Sequence, residues 1–247
     1  MLQVKNVCVR YPNGTRALSD FSITVKTGEF VTVLGGNGSG KTTLLRCITR
    51  TVKPSSGEIW VNGSEMTEIE GEPLRRARLN LALISQHASL VRRRNVLANV
   101  ATGSLGRHFN LWTALGGLPS EELEAGRNYL GKVGLASLEA QRASTLSGGQ
   151  AQRVAIARAL AQKPQVLLAD EPVASLDPEA ANEVMRLLVD LATNGRLAVL
   201  CVLHQVDLAY AYAHRVIGIR RGRVAFDRER ADVSRAEIEQ LYVGEPA

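Results

Sequence analysis

The sequence predicts an α/β fold: a mostly parallel sheet covered by helices, preceded by antiparallel strands and interrupted by a helical insertion. Three observations predict it. Short apolar runs, partly β-branched, recur at Phe30–Leu34, Val166–Ala169, Ala198–Leu203 and Val216–Ile219 and read as buried strands. Helical patterns stand between them, over Thr42–Thr49 and, strongly amphipathic, over Glu179–Thr193. From about residue 88 to 163 the chain is rich in helix formers broken by Gly and Pro, and no strand pattern occurs.

The N-terminal region supports the antiparallel part. Leu2, Val4, Val7 and Val9 are apolar among polar neighbours, and Phe21, Ile23 and Val25 alternate, with a Pro12-Asn13-Gly14 turn between the two groups. Ile59-Trp60-Val61, followed by Asn62-Gly63, reads as an edge strand and turn, and Leu81–Ser85 as a further short strand. The tail holds a short strand and a helix over Ser234–Tyr242. The expected division is one domain over residues 1–247, with a core and β-subdomain at 1–87 and 164–247 and a helical subdomain at 88–163.

Composition narrows the class. The 247 residues are 45% hydrophobic and 22% charged, ordinary values for a globular protein. No run approaches the roughly 18 apolar residues of a membrane span, and Met1–Arg10 lacks the apolar region of a secretory signal. The expectation is a cytoplasmic protein that relies on other chains for any membrane crossing. Cys8, Cys47 and Cys201 are scattered, without metal-site or disulfide spacing, and are expected as small buried hydrophobes in a reducing compartment. A net charge of +6 suits nucleic acid, anionic lipid or a nucleotide and decides nothing alone.

Gly35-Gly36-Asn37-Gly38-Ser39-Gly40-Lys41-Thr42 matches G-x-x-x-x-G-K-[ST], between a buried strand and a helix. Glycines let successive backbone N–H groups turn around a phosphate, and the helix adds its positive N-terminal end. Lys41 can reach β- and γ-phosphates, and the Thr42 hydroxyl can ligate Mg²⁺. By itself the loop means a nucleoside triphosphate and suits a GTPase or kinase equally. Leu146-Ser147-Gly148-Gly149-Gln150 opens a second strong helix, Ala151–Ala161, with Ser147 as cap and Gly148-Gly149 exposing N–H groups. One ATP needs one such cradle. A two-fold dimer, in which each chain's second cradle closes on its partner's nucleotide, accounts for both.

With these motifs the chain resembles the ATPase subunits of ABC transporters, from Tyr11 to beyond His204. The resemblance implies a RecA-like P-loop NTPase core with an antiparallel β-subdomain and a helical subdomain particular to that family. It places ATP on Gly35–Thr42 and Thr43, with Tyr11 stacking on adenine, and the partner's ATP on Ser147, Gly148, Gly149 and Gln150. Val166–Glu171 resembles a Walker B strand, in which Asp170 holds Mg²⁺ and Glu171 is the general base. Gln86 resembles the glutamine that contacts Mg²⁺ or water and senses the membrane partner. His204 resembles the switch histidine at the γ-phosphate, and Ala174–Asp177 the loop that crosses the dimer axis, with Asp177 at the nucleotide. His87 is read as a surface residue. Gly36 and Thr42 stand where many members carry Pro or Arg and Ser, and both keep the chemistry, so an active enzyme is expected.

The wording of Leu90–Val100, Gly103–Arg107, the insertion Leu111–Gly116 and Asp170–Pro178 is similar to the phosphonate-importer ATPases. That similarity implies a motor for uptake of phosphonate or a related phosphorus oxyanion, working with permease subunits and, indirectly, a periplasmic or extracellular solute-binding protein, as a peripheral protein on the cytoplasmic side of the inner membrane. Arg92, Arg93 and Arg94 are either a solvated face or part of the permease contact. Alternatives are an importer ATPase for another solute, a soluble ABC ATPase acting on nucleic acid, and an assembly factor. One module, no sustained heptads and a modest charge argue against nucleic acid, and scattered cysteines argue against Fe–S assembly. No appended regulatory domain is expected after Arg223.

Overall fold

The computed structural model describes residues 1–108, 117 and 119–242. The insertion Leu111–Gly116 singled out above lies outside them. Strands β1 (Leu2–Arg10), β2 (Arg16–Val25), β4 (Ser56–Val61) and β5 (Ser64–Glu65) form an antiparallel sheet in the order β2-β1-β4-β5. The step from Val4 to Val7 breaks the period of two, and the register shifts there, with Asn6 in the left-handed region at φ 49. The bulge returns Val7 and Val9 to the buried face beside Leu2 and Val4. Strand β4 is interior rather than an edge. Asn62 (φ 49) and Gly63 (φ 79) make a tight hairpin that brings Ser64–Glu65 back against Trp60 and Val61.

The second sheet runs β10-β9-β3-β8-β7-β6, with β3 (Phe30–Leu34), β6 (Leu81–Ile84), β7 (Val166–Asp170), β8 (Ala198–Val202) and β9 (Arg215–Arg220) parallel and β10 (Arg223–Glu229) antiparallel at one edge. The central strands β3, β7 and β8 read as continuous apolar runs because both faces are covered. Val166, Leu168, Leu200 and Val202 point into one cluster with α1 (Lys41–Ile48) and the antiparallel sheet. Leu167, Ala169, Val199 and Cys201 point into the other, with α6 (Pro178–Thr193) and the helical unit. Truncating a fully buried leucine such as Leu168 or Leu188 to alanine costs about 2–5 kcal/mol. Strand β6 is the open edge of this sheet, and its Leu83 is 47% exposed.

The stretch after β6 folds as α3 (Val96–Ala101), α4 (Ser120–Lys132) and α5 (Gly148–Ala161), packed on one another. An eight-residue helix, α2 (Gly71–Arg78), precedes β6, and α7 (Val206–Tyr212) follows β8. In the tail α8 covers Arg235–Gln240, shorter than Ser234–Tyr242, with Ser234 and Glu237 forming a capping box at its start. Cys47 and Cys201 are buried as expected, but Cys8 is half-exposed beside the β1 bulge. Its sulfur accepts the Asp20 N–H at 3.3 Å, which, with a Ser56 contact, lowers the thiol pKa. Among the described residues no helix is long and apolar enough to cross a membrane.

Candidate nucleotide site

Strands β3, β8, β7 and β6 are adjacent and parallel, and their carboxyl ends carry the glycine-rich loop, His204, Glu171 and Gln86 respectively. This is the side of an open parallel sheet where ligands bind. A cleft of about 320 Å³ opens there, lined by Tyr11, Arg16, the loop from Asn37 to Thr43, Glu171 and His204.

The loop is held from behind. Gly222 N–H donates to Ser39 O at 2.8 Å, which ties the loop to the β9–β10 turn. A Cβ on Gly35 would lie 2.3 Å from Ile219 O, so nothing larger fits between loop and sheet. Gly40 has φ 113, and a Cβ there would meet Ala17 O at 2.7 Å. Lys41 is 6% exposed, and its ammonium donates to Gly35 O at 2.6 Å and Gly36 O at 2.7 Å. The charge is thus fixed inside the loop. Ser39 Oγ is buried in the middle of the cradle and has no hydrogen-bond partner among the described residues. An oriented polar atom of this kind suits a phosphate oxygen. The phenol of Tyr11 lies 3.2 Å from Thr43 Oγ1, so the turn before β2 closes one wall of the cleft.

The acidic strand end faces this cradle. Glu171 Oε1 is 2.7 Å from His204 Nε2. Glu171 adopts φ 50, a left-handed conformation that costs a residue with a Cβ about 1–2 kcal/mol. Its N–H donates to Val202 O at 3.1 Å, which stitches β7 to β8 at the turn. Asp170, one residue earlier, is half-buried. Burial, then the charge of Glu171, raise its pKa, against smaller lowering by Arg46, Lys41 and His204. A divalent cation would offset both raising causes. The donors suit Mg²⁺: a hydroxyl on Thr42, and a carboxylate on Asp170 that burial leaves short of compensating charge.

The structure therefore brings together Tyr11, Asn37, Gly38, Ser39, Gly40, Lys41, Thr42, Thr43, Glu171 and His204 in one cleft, with Asp170 beside it. Gln86 is exposed at the end of β6 and does not line the cleft. The second cradle is also elsewhere. Ser147 caps α5 in a full capping box with Gln150. A Cβ on Gly149 would meet Ala180 Cβ at 2.8 Å, and one on Gly148 would meet Leu176 at 3.3 Å. These glycines let α5 start flush against α6 as well as baring N–H groups, a packing role that the motif alone did not reveal. Asp177 accepts the Ala180 N–H at 2.9 Å as the cap of α6, so its carboxylate is engaged within its own chain. Thr15, Arg16 and Ala17 also line the cleft, and nothing in their local wording marked them beyond following the Tyr11 turn.

Known proteins share the sequence and fold that carry this cleft. A family model described as ABC transporter matches residues 18–174. A phosphonates import ATP-binding protein of Shouchella clausii is 44% identical over 98% of this chain and 91% of its own length, and one of Wolinella succinogenes is 41% identical over 98% and 88%. Among solved structures, CbiO1 of Clostridium perfringens, part of the ABC transporter complex CbiONQ, superposes with a TM-score of 0.84 at 30% identity, covering 97% of this chain and 92% of that one. A bacterial ABC transporter cassette solved as a dimer gives 0.80 at 29% identity over 93% and 98%. The match runs from β2 through the loop, the second cradle and the acidic strand end, and on it the chain belongs to the ABC transporter family of ATP-binding proteins.

Proposed function

We propose that this chain is the ATP-hydrolysing subunit of an ABC importer that takes up phosphonate or a closely related phosphorus oxyanion. The observation that carries the hydrolytic part is the Glu171–His204 contact of 2.7 Å at the rim of the Lys41 cradle. It holds a carboxylate in one orientation where the end of a triphosphate would lie, as a general base requires.

The chain's own residues divide the work. The loop amides and Lys41 bind and orient the triphosphate, and Tyr11 supports the base at the mouth of the cleft. Thr42 and Asp170 would hold Mg²⁺, with Gln86 approaching it or the attacking water, and the bound ion supplies neutralisation of phosphate charge. Glu171 takes the proton of the attacking water, and His204 fixes that carboxylate and faces the γ-phosphate. Ser147, Gly148, Gly149, Gln150 and Asp177 complete the site of a second copy. The dimeric cassette among the structural relatives supports this arrangement. Glu171→Gln should lower kcat for ATP about 10²–10⁴-fold while ATP binding persists, and a steady-state rate equal to wild type would reject the assignment.

No cleft residue described above reaches a transported solute, so the cargo reading rests on the import proteins at 44% and 41% identity. The membrane partners would be permease subunits, with a solute-binding protein outside and this chain peripheral on the cytoplasmic face. A groove of about 490 Å³ lined by Leu79, Leu83, Arg75, Arg158 and Leu105 suits an apolar, acidic-ended cytoplasmic segment of such a permease. Exposed Val91, Arg92 and Arg93, with half-buried Arg94, offer the same chemistry. The division into a core (1–87, 164–247) and a helical lobe (88–163) belongs to this reading. A deletion strain should fail to grow on phosphonate as sole phosphorus source yet grow on orthophosphate, and growth on both would remove the cargo assignment.

A further inference from the structure

The segment that carries Gln86 is bound along its length to the helix that begins with the second cradle. Gln152 of α5 is 2% exposed, and its amide donates to Ser85 O at 3.1 Å. Arg158 of the same helix donates to Ala88 O and Ser89 O, both at 2.8 Å. Between those grips, Ser85 Oγ and Ser89 Oγ both donate to His87 O, at 2.7 and 3.2 Å, and Ser89 turns the chain at φ 48. Further on, Ser144 N–H donates to Arg92 O and Ala143 N–H to Arg94 O, at 3.2 and 3.0 Å, just before Leu146–Gln150. Upstream, Ile84 is paired with Ala169 in the sheet. Gln86 therefore sits at the joint between the sheet and the unit that holds Ser147.

Arg158 is the unusual member. It is part-buried, burial lowers its pKa, and among the described residues it has no carboxylate partner. A desolvated guanidinium committed to two loop carbonyls is costly unless those carbonyls must be held. From Ser147 to Arg158 the helix spans about 16 Å, so a tilt of its first turn is carried to the loop without an intervening flexible segment.

We propose that Arg158, with Gln152, is a positioning residue that sets Gln86 from α5, so that the cradle facing the partner's nucleotide governs the placement of a glutamine serving the chain's own. The proposal rests on the reading of Gln86 above. The test is a double-mutant cycle on the full-length protein, measuring steady-state ATPase and equilibrium ATP binding. Gln86→Ala should lower kcat, and Arg158→Met should lower it about ten- to a hundredfold with KM and ATP affinity within twofold of wild type. Arg158→Lys, which keeps one donor, should recover part of the loss. In the Gln86→Ala background Arg158→Met should cost nothing more. Full additivity of the two losses, or wild-type kcat in Arg158→Met, overturns the proposal. Wild-type kcat in Gln86→Ala instead overturns the reading of Gln86 itself. If Arg158→Met does not fold, Gln152→Leu takes its place in the same cycle.

Discussion

Asp170 sits under opposing forces. Burial and the neighbouring Glu171 raise its pKa, so the folded state holds its proton more tightly than the unfolded state does. The associated stability is complete below the unfolded value of about 4 and is lost as pH rises through the folded value. At neutral pH the ion-free protein carries this carboxylate at a cost. Asp170→Asn should therefore raise Tm at pH 7, the gain shrinking as pH falls toward about 4, in melts without nucleotide or metal. A lower Tm than wild type at pH 7 would show that the carboxylate is already compensated. The mutant should also lose Mg²⁺-dependent turnover. Lys41 was legible from the glycine-rich loop and Glu171 from two acids at the end of a buried strand, whereas His204 was legible only through the family resemblance. The positive φ of Glu171 and the cleft-lining Arg16 were not legible, since neither a backbone angle nor proximity across β2 leaves a local pattern.

Helix α5 shows that one serine can hold two roles, and substitution separates them. Ser147→Ala removes the capping box and should destabilise the fold by about 0.5–2 kcal/mol in denaturant titration, and it should lower ATPase only in part, because Gly148, Gly149 and the bared N–H groups of the helix start remain. Ser147→Arg loses the same cap but also fills the cradle, so it should match the alanine variant in stability and lose ATPase. Equal activity in the two variants would mean that no nucleotide approaches this helix end. At this scale the buried strands were plain from their apolar runs, and the bulge in β1 is implicit in the three-residue step from Val4 to Val7. The place of β4 was not legible. Ile59–Val61 is apolar enough for either an edge or an interior strand, and only the return of the two-residue β5 decides. The grip of Arg158 on Ala88 and Ser89 spans 70 residues of sequence at its widest and could not be read from either segment alone.

The molecule as a whole is half of the machine it implies. Its first cradle, acidic strand end and histidine converge on one cleft, while the second cradle is not part of that cleft's lining. Glu171→Gln with ATP and Mg²⁺ should sediment at twice the mass of the nucleotide-free protein, and a monomer under those conditions would remove the shared-site arrangement. The parallel core was legible because its strands are apolar on both faces. Which surface meets a membrane partner was not, because exposed Leu83 and Val91 are ordinary residues until β6 is seen to be a sheet edge. The left-handed turn at Glu171 has a consequence for how such a chain evolves. Glycine at that position would relax the backbone by about 1 kcal/mol and end catalysis in the same step. Selection for endurance alone would drift toward that inert, sturdier chain, so the glutamate persists only where turnover is itself under selection.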